Sequence, residues 1–150
     1  MTVERSCPEH SKKLSNIAKA SKNYWKYPEE FMRIWDDDLT VSAEFISENN
    51  VFHLENNDGE IIGFYSFFKE GENVRLEHLF ILPKFIGQKF GDLLMKDFLK
   101  KMESFDAKKL ILDADPNAAG FYEKFGFRTA ELKKSVIKNR ELPVMVKKIN

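Results

Sequence analysis

The chain has 150 residues, of which 43% are hydrophobic and 14 are Phe, enough apolar material for one packed domain and too much for a disordered chain. Lys+Arg and Asp+Glu balance at 24 each, so there is no basic excess of the kind nucleic-acid binding draws on, and no nucleic-acid partner is expected. Cys7 is the single cysteine, which excludes an internal disulfide and fits a reducing, cytoplasmic setting; no apolar stretch approaches a membrane span, so no membrane partner is expected either.

In chain order, Thr2 to Arg5 reads as a short strand, followed by Pro8 and a helical stretch with Leu14, Ile17 and Ala18 on one face. Tyr24-Trp25-Lys26-Tyr27-Pro28 interrupts it, and Pro28-Glu29-Glu30 opens a second helix through Trp35 with the acidic, proline-led start that suits the helix dipole. Thr40 to Ile46 is expected to form a helical turn. Val51 to Glu55 and Ile61 to Phe68 are strands joined by the hairpin signal Asn57-Asp58-Gly59. Glu70 to Asn73 then turns the chain into an apolar run, Val74 to Leu82, giving a three-stranded antiparallel meander.

Pro83 stops that run, since proline cannot continue the ladder of a central strand. Ile86-Gly87-Gln88-Lys89-Phe90-Gly91 follows, and after it Leu94, Phe98 and Met102 recur four apart in a helix to about Glu103. A strand from Lys109 to Ala114, a helix containing Tyr122, and a closing antiparallel hairpin of Phe127 to Lys134 with Pro143 to Ile149 complete the chain. Strand–helix–strand implies a parallel pair. No repeat, low-complexity segment or linker is present, so residues 1–150 are expected to form one domain. A glycine loop that ends a strand and opens a helix presents backbone N–H groups at the positive end of the helix dipole, which suits a pyrophosphate-bearing cofactor.

The block from Val74 to Phe127 resembles the GNAT superfamily of acyl-CoA-dependent N-acetyltransferases. Phe121-Tyr122-Glu123-Lys124-Phe125-Gly126-Phe127 closely matches that family's FYEK-x-GF segment. The glycine loop departs from the R/Q-x-x-G-x-G/A signature: Ile86 takes the R/Q position, Lys89 the first glycine, and Gly91 alone keeps its place. Asp115 stands where the family often has Asn, with Asn117 two residues later.

The resemblance implies an α/β (α+β) fold: a mixed sheet with an antiparallel N-terminal meander, a splayed parallel strand pair and helices on both faces. It implies acetyl-CoA as co-substrate and an amine acceptor that is a small molecule or a protein; a homodimer stays open. Three scattered histidines and one cysteine form no ligand spacing, so no metal is expected. The residues carried over for the cofactor are Leu79, Phe80 and Ile81 for the pantetheine amides, and Gly87, Gln88, Lys89, Phe90, Gly91 and Asp92 around the pyrophosphate. Asp115, Asn117 and Tyr122 complete them.

Tyr122 is the candidate acid, because a phenol near pKa 10 and a thiolate near 8.5 can exchange a proton once both are desolvated. Glu77 is the candidate base. Strand alternation puts it on a face with Leu79 and Ile81, which predicts partial burial and a raised carboxyl pKa. His78 is its rival, titrating ordinarily near pH 6.5. His10 and His53 have no motif context and read as surface or structural residues. Ser21 to Tyr27 could wall an acceptor pocket, and Ser135 to Pro143, with Asn139 and Arg140, could cover an anionic substrate group or form a surface turn. The departures at Ile86, Lys89 and Asp115 keep open an alternative, a non-catalytic acyl-CoA-binding module of the same fold.

Overall fold

The computed structural model describes residues 1–149. Strand β1 (Thr2–Arg5) leads through a 3-10 turn at Pro8–His10 into helix α1 (Ser11–Asn23). Leu14, Ile17 and Ala18 of α1 are buried on one face, as their spacing predicts. Helix α2 (Glu29–Trp35) begins after Pro28 with Glu29 and Glu30 in its first turn. Helix α3 occupies Ala43–Glu48, later than the expected Thr40 to Ile46. The reason is local chemistry: Ser42 is extended and its hydroxyl accepts from the Phe45 N–H, so the helix begins at this cap. Val41, just before it, is held outside the helix because its N–H donates to Ser15 Oγ.

Strand β2 (Asn50–Glu55) and strand β3 (Ile61–Glu70) form the expected hairpin. Its organiser is Asn56, whose side-chain oxygen accepts from the N–H groups of Asp58 and Glu60, while Gly59 takes φ +80°. Strand β4 (Asn73–Ile81), the 3-10 turn Pro83–Phe85, helix α4 (Phe90–Met102) and strand β5 (Lys109–Asp113) follow. Helix α5 (Ala119–Lys124) and the hairpin of β6 (Arg128–Lys134) and β7 (Glu141–Lys148) end the chain. The seven strands form one mixed sheet in the order β1-β2-β3-β4-β5-β7-β6, with β4 and β5 parallel.

Two compact units share this sheet, Met1–Phe67 with His78–Phe105, and Phe68–Glu77 with Asp106 onward, so β3 and β4 each contribute to both. The first unit is built on aromatic packing: Phe67 and Phe98 lie 5.4 Å apart between centroids, and Tyr65 donates to Asp97 Oδ2 at 2.6 Å. Burial, together with that carboxylate, pushes the Tyr65 phenol far above its ordinary pKa, so it stays a donor. The second unit is tied by charge. Arg75 reaches Glu70 at 2.7 Å and Asp113 at 3.2 Å, and Lys133 reaches the other oxygen of Asp113 at 2.9 Å. Burial works to raise the Asp113 pKa, but the two cations outweigh it and hold the carboxyl below its usual value.

Candidate active site

In the first unit, β4 ends on the three residues expected to bond pantetheine. Ile81 is buried, and Leu79 and Phe80 are half-buried, with the Phe80 ring against Phe64 at 5.9 Å. The end of β4 lies close against β3 because residue 63 is a glycine: a Cβ there would sit 2.6 Å from Ile81 Cδ1 and 2.8 Å from the Phe80 carbonyl oxygen. Sequence reasoning passed over Gly63, although a glycine inside a strand is itself the signal of a close backbone approach.

The loop after Pro83 keeps the geometry its departures put in doubt. Gly87 has φ +87°, with open space where a Cβ would stand, and Lys89 has φ +67° at the N-cap of α4. Lys89 thus holds the left-handed conformation that glycine would adopt without strain, so the turn into α4 survives the substitution. Phe90, Gly91 and Asp92 form the first turn of a 13-residue helix, whose leading N–H groups have no carbonyl one turn back within the helix. Gln88 braces the loop by donating to the Lys84 carbonyl at 3.2 Å. Open space at Gly87 and a helix start beside it fit an anionic group such as a pyrophosphate.

On β4 the alternation places the buried residues at Val74, Leu76 and His78, and Glu77 is exposed. The expected partial burial of Glu77 is therefore corrected. Ile81 misled the parity argument, because it is covered locally at the Gly63 approach rather than by a face shared along the whole strand.

His78 is the buried one, 9% exposed, with Nδ1 2.6 Å from Ser66 Oγ and the rings of Phe45, Phe64 and Phe80 around it. Desolvation lowers its pKa from 6.5 to about 4. Its imidazole is neutral throughout the range in which an amine acetyltransfer would run, so it gives no ionisation near pH 7. The shift also predicts an acid sensitivity. Between about pH 6.5 and 4 the unfolded chain binds the proton and the folded one resists it, so stability is full above pH 6.5 and falls as pH drops towards 4. The loss is about 3 kcal/mol from this residue. Urea unfolding at a series of pH values checks it: His78→Leu should flatten the acid slope relative to wild type.

In the second unit, the parallel ladder sets Val74 opposite Leu110 and Arg75 opposite Ile111. Tyr122 lies in the short helix α5 with its ring against Phe121 at 5.2 Å and Phe127 at 6.0 Å. The rest of the motif closes the helix: Phe127 N–H donates to the Tyr122 carbonyl and Gly126 N–H to that of Glu123, with Gly126 at φ +92°, a Schellman ending. Phe127 is buried, whereas Phe121 is half-buried. Tyr122 is half-buried too; desolvation and then the negative charge of Asp115 drive its phenol well above 10. A phenol so placed holds its proton until a strong base is generated beside it.

Asp115 caps the 3-10 turn Pro116–Ala118 by accepting from the Asn117 N–H at 2.9 Å, and faces Arg140 at 3.6 Å. Arg140 follows Asn139, whose φ of +64° turns the chain into β7, and the Ser135 N–H donates to the Arg140 carbonyl. The segment is thus a structured hairpin turn. In the first unit, Tyr24 and Trp25 are exposed, while Tyr27 and Trp35 pack edge-on at 4.9 Å beneath the Lys22 ammonium. His53 is buried, paired through Nδ1 with Ser6 Oγ at 2.8 Å, and the His10 ring lies against it at 4.7 Å.

A mixed seven-stranded sheet with one parallel pair, a glycine loop opening α4 and a Tyr-bearing helix after the next strand define the GNAT acetyltransferase fold. The chain belongs to that family: the family described as Acetyltransferase (GNAT) domain matches residues 13–143. A GCN5-related N-acetyltransferase from Rhodopseudomonas palustris superposes with a TM-score of 0.82 at 24% identity, over 99% of this chain and 95% of that one. The PaiA N-acetyltransferase from Thermoplasma acidophilum, solved in complex with coenzyme A, superposes at 0.79 with 19% identity, over 99% and 100%. A curated relative, an uncharacterized N-acetyltransferase named ycf52 from Gracilaria tenuistipitata var. liui, is 28% identical over 92 residues, 61% of this chain. The match spans 50% of that relative's length. Among the described residues no helix is long and apolar enough to cross a membrane.

Proposed function

We propose that residues 1–150 act as one catalytic domain that transfers an acetyl group from acetyl-CoA directly to a primary amine, in the cytoplasm. The observation that carries this reading is the loop before α4, which keeps left-handed backbone at Gly87 and Lys89 although its sequence has lost most of the family signature. A left-handed backbone at a non-glycine residue is strained, and such strain is found at ligand sites, which supports an anion site here.

Bound acetyl-CoA would supply an activated acyl carbon and a thiolate leaving group. The N–H groups of Gly87 to Asp92 hold its pyrophosphate, and the backbone of Leu79, Phe80 and Ile81 bonds the pantetheine amides as an added strand would. One N–H of that segment stabilises the oxygen as it gains charge. Glu77 takes the proton from the acceptor ammonium, so that the amine lone pair can form the C–N bond. Tyr122 gives its proton to the sulfur as the C–S bond breaks. In this role an exposed Glu77 also attracts a cationic acceptor. Asp115 and Asn117 precede Tyr122 in sequence and set the turn from which α5 starts.

A second reading, a non-catalytic acyl-CoA-binding module, is favoured by Asp115, whose carboxylate is engaged with Asn117 and Arg140. Thiol release from acetyl-CoA across a panel of amines, polyamines and lysyl peptides separates the two. Turnover with any acceptor supports transfer; coenzyme A binding without release for all of them supports the module. For an accepted amine, Glu77→Gln should lower kcat by about tenfold or more, and His78→Ala should leave kcat nearly unchanged. A loss of kcat with His78→Ala alone would reassign the base.

A further inference from the structure

We propose that Glu4, His53 and Glu55 form a binding site for a divalent transition cation of the zinc class on the β1–β2 ladder, independent of acetyl transfer. The antiparallel register sets Glu4 opposite His53 and Thr2 opposite Glu55, and residues two apart on a strand share a face. All three side chains therefore project to one side. One donor atom from each lies within 4.8 Å of the others. Donors around a zinc ion, with bonds of roughly 2.0–2.2 Å, stand about 3–4 Å apart, so a small swing of the two Glu stems closes the shell.

His53 is the fixed member of the set. It is 2% exposed, and its Nδ1 lies 2.8 Å from Ser6 Oγ. With Nδ1–H donating to that hydroxyl, the lone pair of Nε2 is left on the side where Glu55 Oε2 lies at 3.9 Å. A metal-bound histidine is held in the same way, its other nitrogen donating to a fixed acceptor. In this tautomer three acceptors converge with no proton among them, and a shared cation satisfies all three. His10 walls the site, and its Nδ1 is engaged by the Cys7 N–H at 2.9 Å. One imidazole and two carboxylates, completed by water, favour zinc over magnesium or calcium, which prefer all-oxygen shells. The sequence conceals the set because Glu4 lies 49 positions from His53, so no ligand spacing appears.

The test is calorimetric titration of zinc chloride into the full-length chain, in a buffer that does not bind metal, with a melting scan alongside. One site with a micromolar Kd and a raised Tm is expected. Glu4→Gln and Glu55→Gln should each weaken binding by at least about tenfold, and Ser6→Ala by about tenfold through the lost orienting bond. His53→Ala should abolish binding; if that variant fails to fold, the Glu variants carry the test, because Glu4 is exposed and Glu55 half-exposed. Magnesium chloride at the same concentration should give no heat. Absence of zinc binding would overturn the proposal. Binding that survives both Gln changes, that disappears with Cys7→Ser, or that magnesium matches would overturn it equally.

Discussion

Replacing Tyr122 by Phe should lower kcat by about a hundredfold or more and leave acetyl-CoA affinity nearly unchanged. The substitution removes one oxygen from a ring whose packing against Phe121 and Phe127 is apolar, so α5 keeps its place. The helix ending is made by backbone groups of Tyr122, Glu123, Gly126 and Phe127, which the change does not touch. What disappears is a phenol held protonated by desolvation and by the charge of Asp115. A proton donor of that kind acts only when the thiolate forms, so its loss falls on kcat rather than on binding. Single-turnover thiol release and calorimetric titration with acetyl-CoA measure the two quantities separately. A variant that turns over at the wild-type rate would make Tyr122 a packing aromatic and no more.

Coenzyme A at a hundredfold excess over its Kd should stabilise the chain by about 2.7 kcal/mol. For a chain of this size that corresponds to roughly 5–10 °C in Tm. Gly91→Gln should abolish the shift. Gly91 is half-buried in the first turn of α4, and a longer side chain there crowds the approach to the N–H groups that would meet the pyrophosphate. The same change suits the helix itself, since Gln is a better helix former than Gly by several tenths of a kcal/mol. The variant should therefore melt no lower than wild type without ligand, which separates lost binding from lost folding. A full Tm shift in Gly91→Gln would remove the loop from the cofactor reading.

Local spacing made much of this protein legible. The buried face of α1, the proline-led start of α2, the glycine hairpins, and the strand–loop–helix–strand block all follow from periodicity and turn chemistry within a dozen residues. The family motifs at Gly91 and at Phe121 to Phe127 could be read for the same reason, because each is a contiguous solution to one local problem. Gly126, for instance, supplies the left-handed ending that α5 requires.

What tertiary structure alone decided is which face is covered and which distant residues meet. Parity along β4 could be counted from the sequence, but whether the even or the odd residues faced the core could not. The packing of Phe45, Phe64 and Phe80 around His78 settled it and left Glu77 exposed. The backbone sign at Lys89 was likewise invisible, since a lysine ordinarily avoids φ +67° and only the turn between the Pro83 stop and α4 imposes it. The pairing of Asp115 with Arg140, and the convergence of Glu4 with His53 and Glu55, join residues 25 to 51 positions apart. The set of Glu4, His53 and Glu55 follows from strand register, a property of two segments together that neither segment's own sequence contains.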